Sequence, residues 1–135
     1  MNNYAEIKNK LVVFECLVDY AGPILLIGDI NWLLNQYDAT VISATIPKEE
    51  LIIANNYMPK WVNEVRNKET LKTNILIITD FHKISIDKQE LFLDILKNNQ
   101  ISSESLPDDL KIIVQADEKC IINQKVRDIV EYYEI

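Results

Sequence analysis

Several polar side chains that can bind ligands stand directly after the apolar runs of this sequence. They are Gly28 and Asp29 after the first predicted strand, Thr79, Asp80 and His82 after the third, and Gln115 and Asp117 after the fourth. Ligands of parallel sheets bind beyond the carboxyl ends of the strands, so we expect these residues at one edge. The carboxylates of Asp29, Asp80 and Asp117 could hold Mg²⁺, which prefers oxygen ligands in octahedral geometry. The alternative is that polar residues simply end each strand.

Histidine and cysteine offer less chemistry. His82 is the only histidine of the chain, so it has no partner for a two-histidine metal site, and no serine or cysteine motif accompanies it as a catalytic base. Cys16 and Cys120 lie far apart, and neither has a second cysteine or a histidine at the spacing of a zinc site. We therefore expect two reduced core thiols and no zinc.

The segment after the first apolar run, residues 29–34, does not fit a phosphate-binding loop. Such a loop needs glycines that let successive N–H groups turn inward, and a Lys and a Ser or Thr for the phosphates and magnesium. Here Gly28 is the one glycine, no lysine follows, and Asp29 stands where an anion would lie. Trp32 would fill the remaining space, and we interpret it as a packing residue.

Composition limits the classes of function. The chain has 135 residues, is 48% hydrophobic, and carries 21 acidic against 14 basic residues for a formal charge of −7. We expect one domain over residues 1–135, and no nucleic-acid surface, because phosphate contacts need clustered Lys and Arg. The basic residues Lys60, Arg66, Lys68 and Lys72 are interleaved with Glu64 and Glu69 and predict a solvated helix face. No apolar run approaches the roughly 18 residues of a membrane span, and no signal peptide is visible, so we expect a cytoplasmic protein with no membrane partner.

Hydrophobic patterning predicts strands that alternate with helices. The predicted strands are residues 23–28, 39–46, 75–79, 110–114 and 129–133. Helices are predicted over residues 4–20, from Asn31, over residues 61–71, from Asp87 to Asn98 and over residues 123–127, with weak helical character at residues 48–56 and a polar, turn-rich segment at residues 100–109. Asp87 and Glu90 resemble a capping box. This alternation predicts an α/β three-layer sandwich with a mainly parallel five-stranded sheet.

The order of these segments resembles the AAA+ ATPases, which have a P-loop NTPase fold, and in particular their MoxR-like branch. Residues 19–23 lead into residues 24–28 as the family's approach to its phosphate loop does. Residues 74–80 are similar to the strand that carries its magnesium-binding acid, and residues 86–113 follow its helix, chain reversal and sensor strand. The resemblance covers about residues 10 to 128.

The departures from the family fall on its catalytic positions. The resemblance implies that Asp80 is the magnesium ligand, yet Phe81 stands where the family's glutamate polarises water. Asp117 replaces the sensor amide, Arg127 matches the first terminal arginine, and Ile129 replaces the second. The Walker A motif and the helical lid are missing. Loss of these groups together removes transition-state stabilisation, so we expect a vestigial nucleotide site at Gly28, Asp29, Asp80 and Asp117, with no ATP or Mg²⁺ cofactor.

The leading hypothesis is a catalytically inactive AAA+-like domain that serves as a protein-interaction or accessory module. The partner would be a complete AAA+ ATPase or a second copy, since Tyr132, Tyr133 and Ile135 offer apolar surface. A receiver-like phosphoacceptor is the alternative, with Asp80 as acceptor, Asp29 as magnesium ligand and residues 112–117 as the switch strand. The absence of a lysine near residues 129–133 counts against it. A metal-dependent enzyme that uses Asp29, Asp80 and Asp117 is the third hypothesis.

Overall fold

The computed structural model describes Glu15 and residues 22–54, 57–68 and 73–134. Glu15 has helical conformation, but the rest of the predicted helix at residues 4–20 lies outside the described residues. Cys16, Lys72 and Ile135 lie outside them as well. In the described part of the chain, no helix is both long and apolar enough to cross a membrane.

The core of the structure is a five-stranded parallel sheet. Its strands, together with those of a short hairpin, are β1 Ile24–Ile27, β2 Thr40–Ser43, β3 Ile75–Thr79, β4 Gln100–Ile101, β5 Glu104–Ser105, β6 Lys111–Ala116 and β7 Glu131–Glu134. The main sheet has the order β2-β3-β6-β1-β7, and all four pairings are parallel. The register aligns Ile24 of β1 with Ile113 of β6 and with Glu131 of β7. The predicted α/β class with a mainly parallel five-stranded sheet is confirmed.

Apolar residues cover both faces of the sheet, and this explains why its central strands read as continuous hydrophobic runs. Every residue of β1 and β6, and all of β3 except Thr79, is buried. On one face, Leu25 and Leu76 pack with Trp61, Phe81 and Phe92. The cluster on the opposite face consists of Ile24, Leu26, Ile30, Trp32, Leu33, Ile75, Ile77 and Ile113.

The helices of the described residues are short. They are α1 Asn31–Leu34, α2 Lys60–Arg66, α3 Ile86–Gln89, α4 Leu93–Asn98 and α5 Gln124–Arg127, with 3-10 turns at Lys48–Leu51, Phe81–Lys83 and Glu90–Phe92. The predicted helix from Asp87 to Asn98 is thus two helices joined by a 3-10 turn. It ends as predicted, because Asn99 adopts the left-handed conformation that closes helices.

The predicted capping box of Asp87 and Glu90 is wrong. The helix begins two residues earlier than the box requires, and Ser85 is its N-cap: the Ser85 Oγ accepts a hydrogen bond from the Lys88 N–H at 3.1 Å. Ser85 has the extended backbone typical of an N-cap. Asp87 lies in the first turn instead, where a negative charge interacts favourably with the helix dipole.

The segment predicted as a polar, turn-rich reversal contains a β-hairpin. Strands β4 and β5 pair antiparallel, and the two turn residues Ser102 and Ser103 have φ of 50° and 64°. Two-residue hairpin turns with positive φ are normally signalled by Asn-Gly or Asp-Gly. A Ser-Ser pair gives no such signal, and the hairpin was therefore not predicted.

The predicted solvated face of α2 holds only in part. Lys60 and Arg66 are exposed, whereas the Lys68 side chain is only 14% exposed. Lys68 donates a hydrogen bond from Nζ to the Asp38 carbonyl oxygen at 2.9 Å and lies 3.5 Å from the Asp38 carboxylate. Lys68 therefore fastens the loop before β2 to the end of α2.

The second cysteine is a free thiol, as predicted, but it lies at the margin of the core. Cys120 is partly buried and packs against the larger apolar cluster. Burial is the main cause that raises the pKa of its thiol, and the nearby Glu118 carboxylate adds to it. A thiol of this kind is a weak nucleophile, because the thiolate is the reactive form.

Candidate functional site

Three of the four predicted site residues meet around Gln115. Gly28 follows β1, Asp80 follows β3, and Asp117 follows β6, which lies between the other two strands. We call this edge of the sheet the carboxyl rim. The buried Gln115 amide donates from Nε2 to the Gly28 carbonyl oxygen at 2.9 Å and to Asp117 Oδ1 at 2.7 Å, and its Oε1 accepts from the Asp80 N–H at 3.4 Å. Gln115 therefore links the carboxyl ends of the three central strands.

Asp29 is not part of this group. Its side chain is exposed, and Oδ1 accepts a hydrogen bond from the Asn31 N–H at 3.2 Å. Within the described residues, Asp80 and Asp117 form a cluster with His82, and the ligand atoms of the three lie within 4.8 Å of one another. The expected set of three carboxylates is thus replaced by two carboxylates and an imidazole.

Asp80 is held by donors from two strands and by a lysine. The Ser43 hydroxyl at the end of β2 donates to Asp80 Oδ2 at 2.9 Å, and the Thr79 hydroxyl lies 3.4 Å from the same oxygen. Lys83 Nζ lies 3.5 Å from Oδ1. The Ser43 hydrogen bond is the largest cause that holds the pKa of Asp80 below its ordinary value; the Lys83 charge acts in the same direction, and together they outweigh burial.

The backbone at Asp80 directs the chain into the Phe81–Lys83 turn. Asp80 has φ 62° and ψ 28°, a left-handed conformation that aspartate tolerates better than most residues. Phe81 is fully buried and packs edge-on against Phe92, with ring centroids 5.9 Å apart. Because Phe81 anchors the turn, the next two side chains, His82 and Lys83, are positioned over the carboxyl rim.

His82 interacts with Asp117 through both ring nitrogens. Its Nδ1 accepts a hydrogen bond from the Asp117 N–H at 3.3 Å, and its Nε2 lies 3.8 Å from Asp117 Oδ2. An imidazole that accepts at Nδ1 carries its proton at Nε2 when neutral. No local pattern in the sequence predicts this contact, because it depends on the left-handed residue Asp80 and the 3-10 turn that follows.

The turn between β1 and α1 contains internal hydrogen bonds and is also hydrogen-bonded to β6. The Gly28 N–H donates to the Ala116 carbonyl oxygen at 2.8 Å, and the Asn31 N–H donates to the Asp29 side chain. The Trp32 indole N–H donates to the Asp29 carbonyl oxygen at 2.6 Å, and Trp32 is buried against α1 and β1 residues, as its interpretation as a packing residue predicts. Gly28 has φ 129°, which glycine adopts readily.

The donor set at the carboxyl rim does not fit Mg²⁺, the ion that the fold resemblance implies. Octahedral Mg²⁺ ligands lie about 2.1 Å from the ion, so no two of them are more than about 4.2 Å apart. Both oxygens of Asp80 already receive protein donors, one of which is the Lys83 ammonium. The free lone pair of His82 is used by the Asp117 N–H. A divalent cation would have to displace these contacts.

Arg127 and Ile129, which stand at the positions of the family's terminal arginine pair, both contact other residues of the domain, although Arg127 is exposed. The Arg127 guanidinium stacks on the Tyr132 ring, 4.1 Å from its centroid, in a favourable cation–π geometry. Ile129 packs against the larger apolar cluster, and Tyr133 packs against the smaller one. Of the residues expected to offer apolar surface near this end, Tyr132 and Tyr133 are partly buried, and Ile135 lies outside the described residues.

The order of the strands separates this fold from the receiver class. Numbered along the chain, the five strands of the main sheet have the order 2-3-4-1-5, whereas receivers and other flavodoxin-like sheets have the order 2-1-3-4-5. In the present order β6 lies between β1 and β3, so Asp29 and Asp80 do not flank one crevice. The site of a receiver-like phosphoacceptor is not formed.

The parallel α/β fold instead has a counterpart among solved structures. Among solved structures, the chain is similar to one from Cytophaga hutchinsonii described as a "putative ATPase", with a TM-score of 0.59 and 13% sequence identity. The similarity covers 99% of this chain and 51% of the other, so the chain spans about half the length of that protein. No protein-family model matches the sequence, and the comparison with curated proteins gives no match.

Proposed function

We propose that this chain is a catalytically inactive member of the MoxR-like AAA+ ATPases that acts as a protein-interaction or accessory module for an ATPase machine. The observation that carries the proposal is the closed turn after β1. The N–H groups of Gly28 and Asn31 donate to acceptors within the chain. A phosphate loop must aim such N–H groups at the ligand.

The electrostatics of the carboxyl rim support the same proposal. Asp29, Asp80 and Asp117 bring negative charge to the edge where phosphates would lie, and the nearby Lys83 is paired with Asp80. Phe81 is fully buried at the position of the family's glutamate, so it places no carboxylate near a water molecule. The rim therefore repels a triphosphate and offers no base at this position.

The partner we propose is a protein, either a complete AAA+ ATPase or a second copy of this chain, in the cytoplasm, with no nucleic acid or membrane involved. Two exposed isoleucines close to the rim support a protein contact. Ile121 is 75% exposed and Ile86 is 44% exposed. The side chains of Gln89 and Asn123 bond to the Ile121 and Ile86 carbonyl oxygens, which fixes these two positions in one region.

Calorimetric titration with ATP, with and without Mg²⁺, and an assay of phosphate release test the inactive state. We expect no heat of binding up to millimolar ATP and no turnover. Saturable binding accompanied by turnover would contradict the proposal.

The interaction role is tested by co-purification from the native host. We expect the wild-type chain to bring down an ATPase or a tagged second copy, Ile121→Asp to lose this partner, and Lys97→Ala, at another exposed position, to retain it. Equal recovery with Ile121→Asp would show that the contact surface lies elsewhere.

A further inference from the structure

The Phe81–Lys83 turn places two consecutive side chains on the two acids of the carboxyl rim. Lys83 Nζ lies 3.5 Å from Asp80 Oδ1, and His82 Nε2 lies 3.8 Å from Asp117 Oδ2. The lysine adds a positive charge beside the Asp80 carboxylate. This carboxylate is held by the Ser43 hydroxyl and by the left-handed backbone conformation of Asp80.

We propose that the Lys83 ammonium is a built-in counter-ion that takes the place of a divalent cation at Asp80. This inference rests on the proposed inactive function, and it deepens it by naming the group that makes the rim independent of metal. Asp80 keeps a fixed charge that a cation must balance, and the chain supplies that cation three residues later.

The local geometry favours this exchange of a metal for a lysine. Residues at i and i+3 lie on the same side of a 3-10 turn, so Lys83 returns over the Asp80 carboxylate. The Lys83 side chain is 57% exposed, which allows the ammonium to stay hydrated while it is close to the acid. The Ser43 hydroxyl donates a hydrogen bond to the second oxygen of Asp80, so both carboxylate oxygens have a partner within the chain.

The charge of Lys83 also opposes metal binding directly. A divalent ion bound to Asp80 Oδ1 would lie about 2.1 Å from an oxygen that is itself 3.5 Å from the ammonium, and like charges at such short separations repel even at the dielectric constant of water. Removal of this charge, with the carboxylate left in place, is therefore expected to expose a cation site.

The test measures the melting temperature of four proteins against Mg²⁺ or Mn²⁺ concentration at constant ionic strength. The proteins are wild type, Lys83→Met, Lys83→Met with Asp80→Asn, and Lys125→Met. Lys125 is the matched control, since it is an exposed lysine paired with Glu90 at 3.3 Å. A ligand that binds the folded state raises the melting temperature.

We expect Lys83→Met to be stabilised by millimolar cation with a midpoint at least about tenfold below that of wild type. The added Asp80→Asn change abolishes the gain, and Lys125→Met behaves as wild type. An unchanged midpoint in Lys83→Met, or a gain that survives Asp80→Asn, would overturn the proposal. Lys83→Gln, checked by circular dichroism, serves if the methionine variant does not fold.

The result is separable from the proposed function. ATP binding with turnover by the wild-type chain would contradict the inactive state whatever Lys83 does. Absence of ATP binding together with an unchanged cation response in Lys83→Met would overturn the counter-ion inference alone.

Discussion

The turn after β1 and the turn after β3 follow equivalent buried strands and reach the same carboxyl rim, yet they are built differently. In the turn after β1, backbone groups take part in the hydrogen bonds: the Gly28 N–H donates to β6, the Asn31 N–H donates to the Asp29 carboxylate, and the Asp29 carbonyl accepts from the Trp32 indole. The turn after β3 is organised by side chains around Asp80, which has a hydroxyl and an ammonium as partners. In an ATPase one turn holds the phosphates and the other holds the metal. Here the groups of both turns are bonded to other groups of the chain. A substitution that freed one turn for its ligand would therefore not free the other.

Both turns are positioned by the buried central strands that precede them. The largest effect is therefore expected from a change inside one of these strands, Leu76→Asp. Leu76 is fully buried in β3, where an unpaired carboxylate has no solvent and no partner. We expect a loss of several kcal/mol and an unfolded protein at room temperature, as measured by circular dichroism and urea titration. Val41→Asp, on edge strand β2 where Val41 is 46% exposed, is the matched control and should fold. Similar losses in both variants would mean that β3 is not buried on this face.

The link between the two turns is the Gln115 amide, and its removal should be the next largest effect. The Gln115 Nε2 donates to both the Gly28 carbonyl and the Asp117 carboxylate, and Gln115→Ala removes this shared donor. We expect a loss of about 2 kcal/mol in the free energy of unfolding, in the range for a buried hydrogen-bonding group left unsatisfied. Gln124→Ala, at an exposed amide that bonds to Asp128, should change little. A neutral Gln115→Ala would show that the turns are held independently.

The charged turn after β3 should contribute a dependence of stability on acid pH. The Asp80 pKa is lowered in the folded state, chiefly by the Ser43 hydrogen bond. Its contribution is therefore present above the unfolded pKa, about 3.9 for aspartate, and is lost as the pH falls through the lower folded value. With an exposed lysine partner, the effect is at most about 1 kcal/mol.

Urea titrations of wild type and Asp80→Asn from pH 7 down to about pH 2 measure this contribution. The variant should be less stable at neutral pH, and the gap should close in acid. A gap of constant size would show that the Asp80 charge is not stabilised in the folded state.

The smallest effects concern two lysines far from the rim. Lys68→Ala removes the hydrogen bond to the Asp38 carbonyl and should cost about 0.5–1 kcal/mol in urea titration. Lys97→Ala, at an exposed position of α4, should stay within about 0.5 kcal/mol of wild type. A larger loss for Lys97 than for Lys68 would reverse our assignment of surface and anchored lysines.

The sequence predicts well those strands whose position follows from a continuous run of apolar residues. β3 matches its predicted bounds, because five successive apolar or β-branched residues have few alternatives to a strand buried on two sides. The unsuitability of residues 29–34 for phosphate likewise follows from residue types that are missing, and it stays a prediction.

The side-chain contacts between residues at the ends of different strands could not be predicted from such patterns. Gln115 looked like a polar residue near a strand end, but β6 continues to Ala116 and buries it between two turns. The pairing of His82 with Asp117 depends on a left-handed aspartate, which no local pattern announces. Such contacts arise from tertiary geometry, which single-strand periodicity does not contain.

The central claim is that the Gly28 and Asn31 N–H groups after β1 donate to acceptors within the chain and that this turn does not receive phosphate. Heteronuclear NMR of the ¹⁵N-labelled protein during titration with Mg²⁺ and ATP tests it directly. We expect the amide signals of residues 28–32 to keep their positions up to millimolar nucleotide. Saturable shifts confined to these amides would show phosphate bound in the turn and would contradict the account.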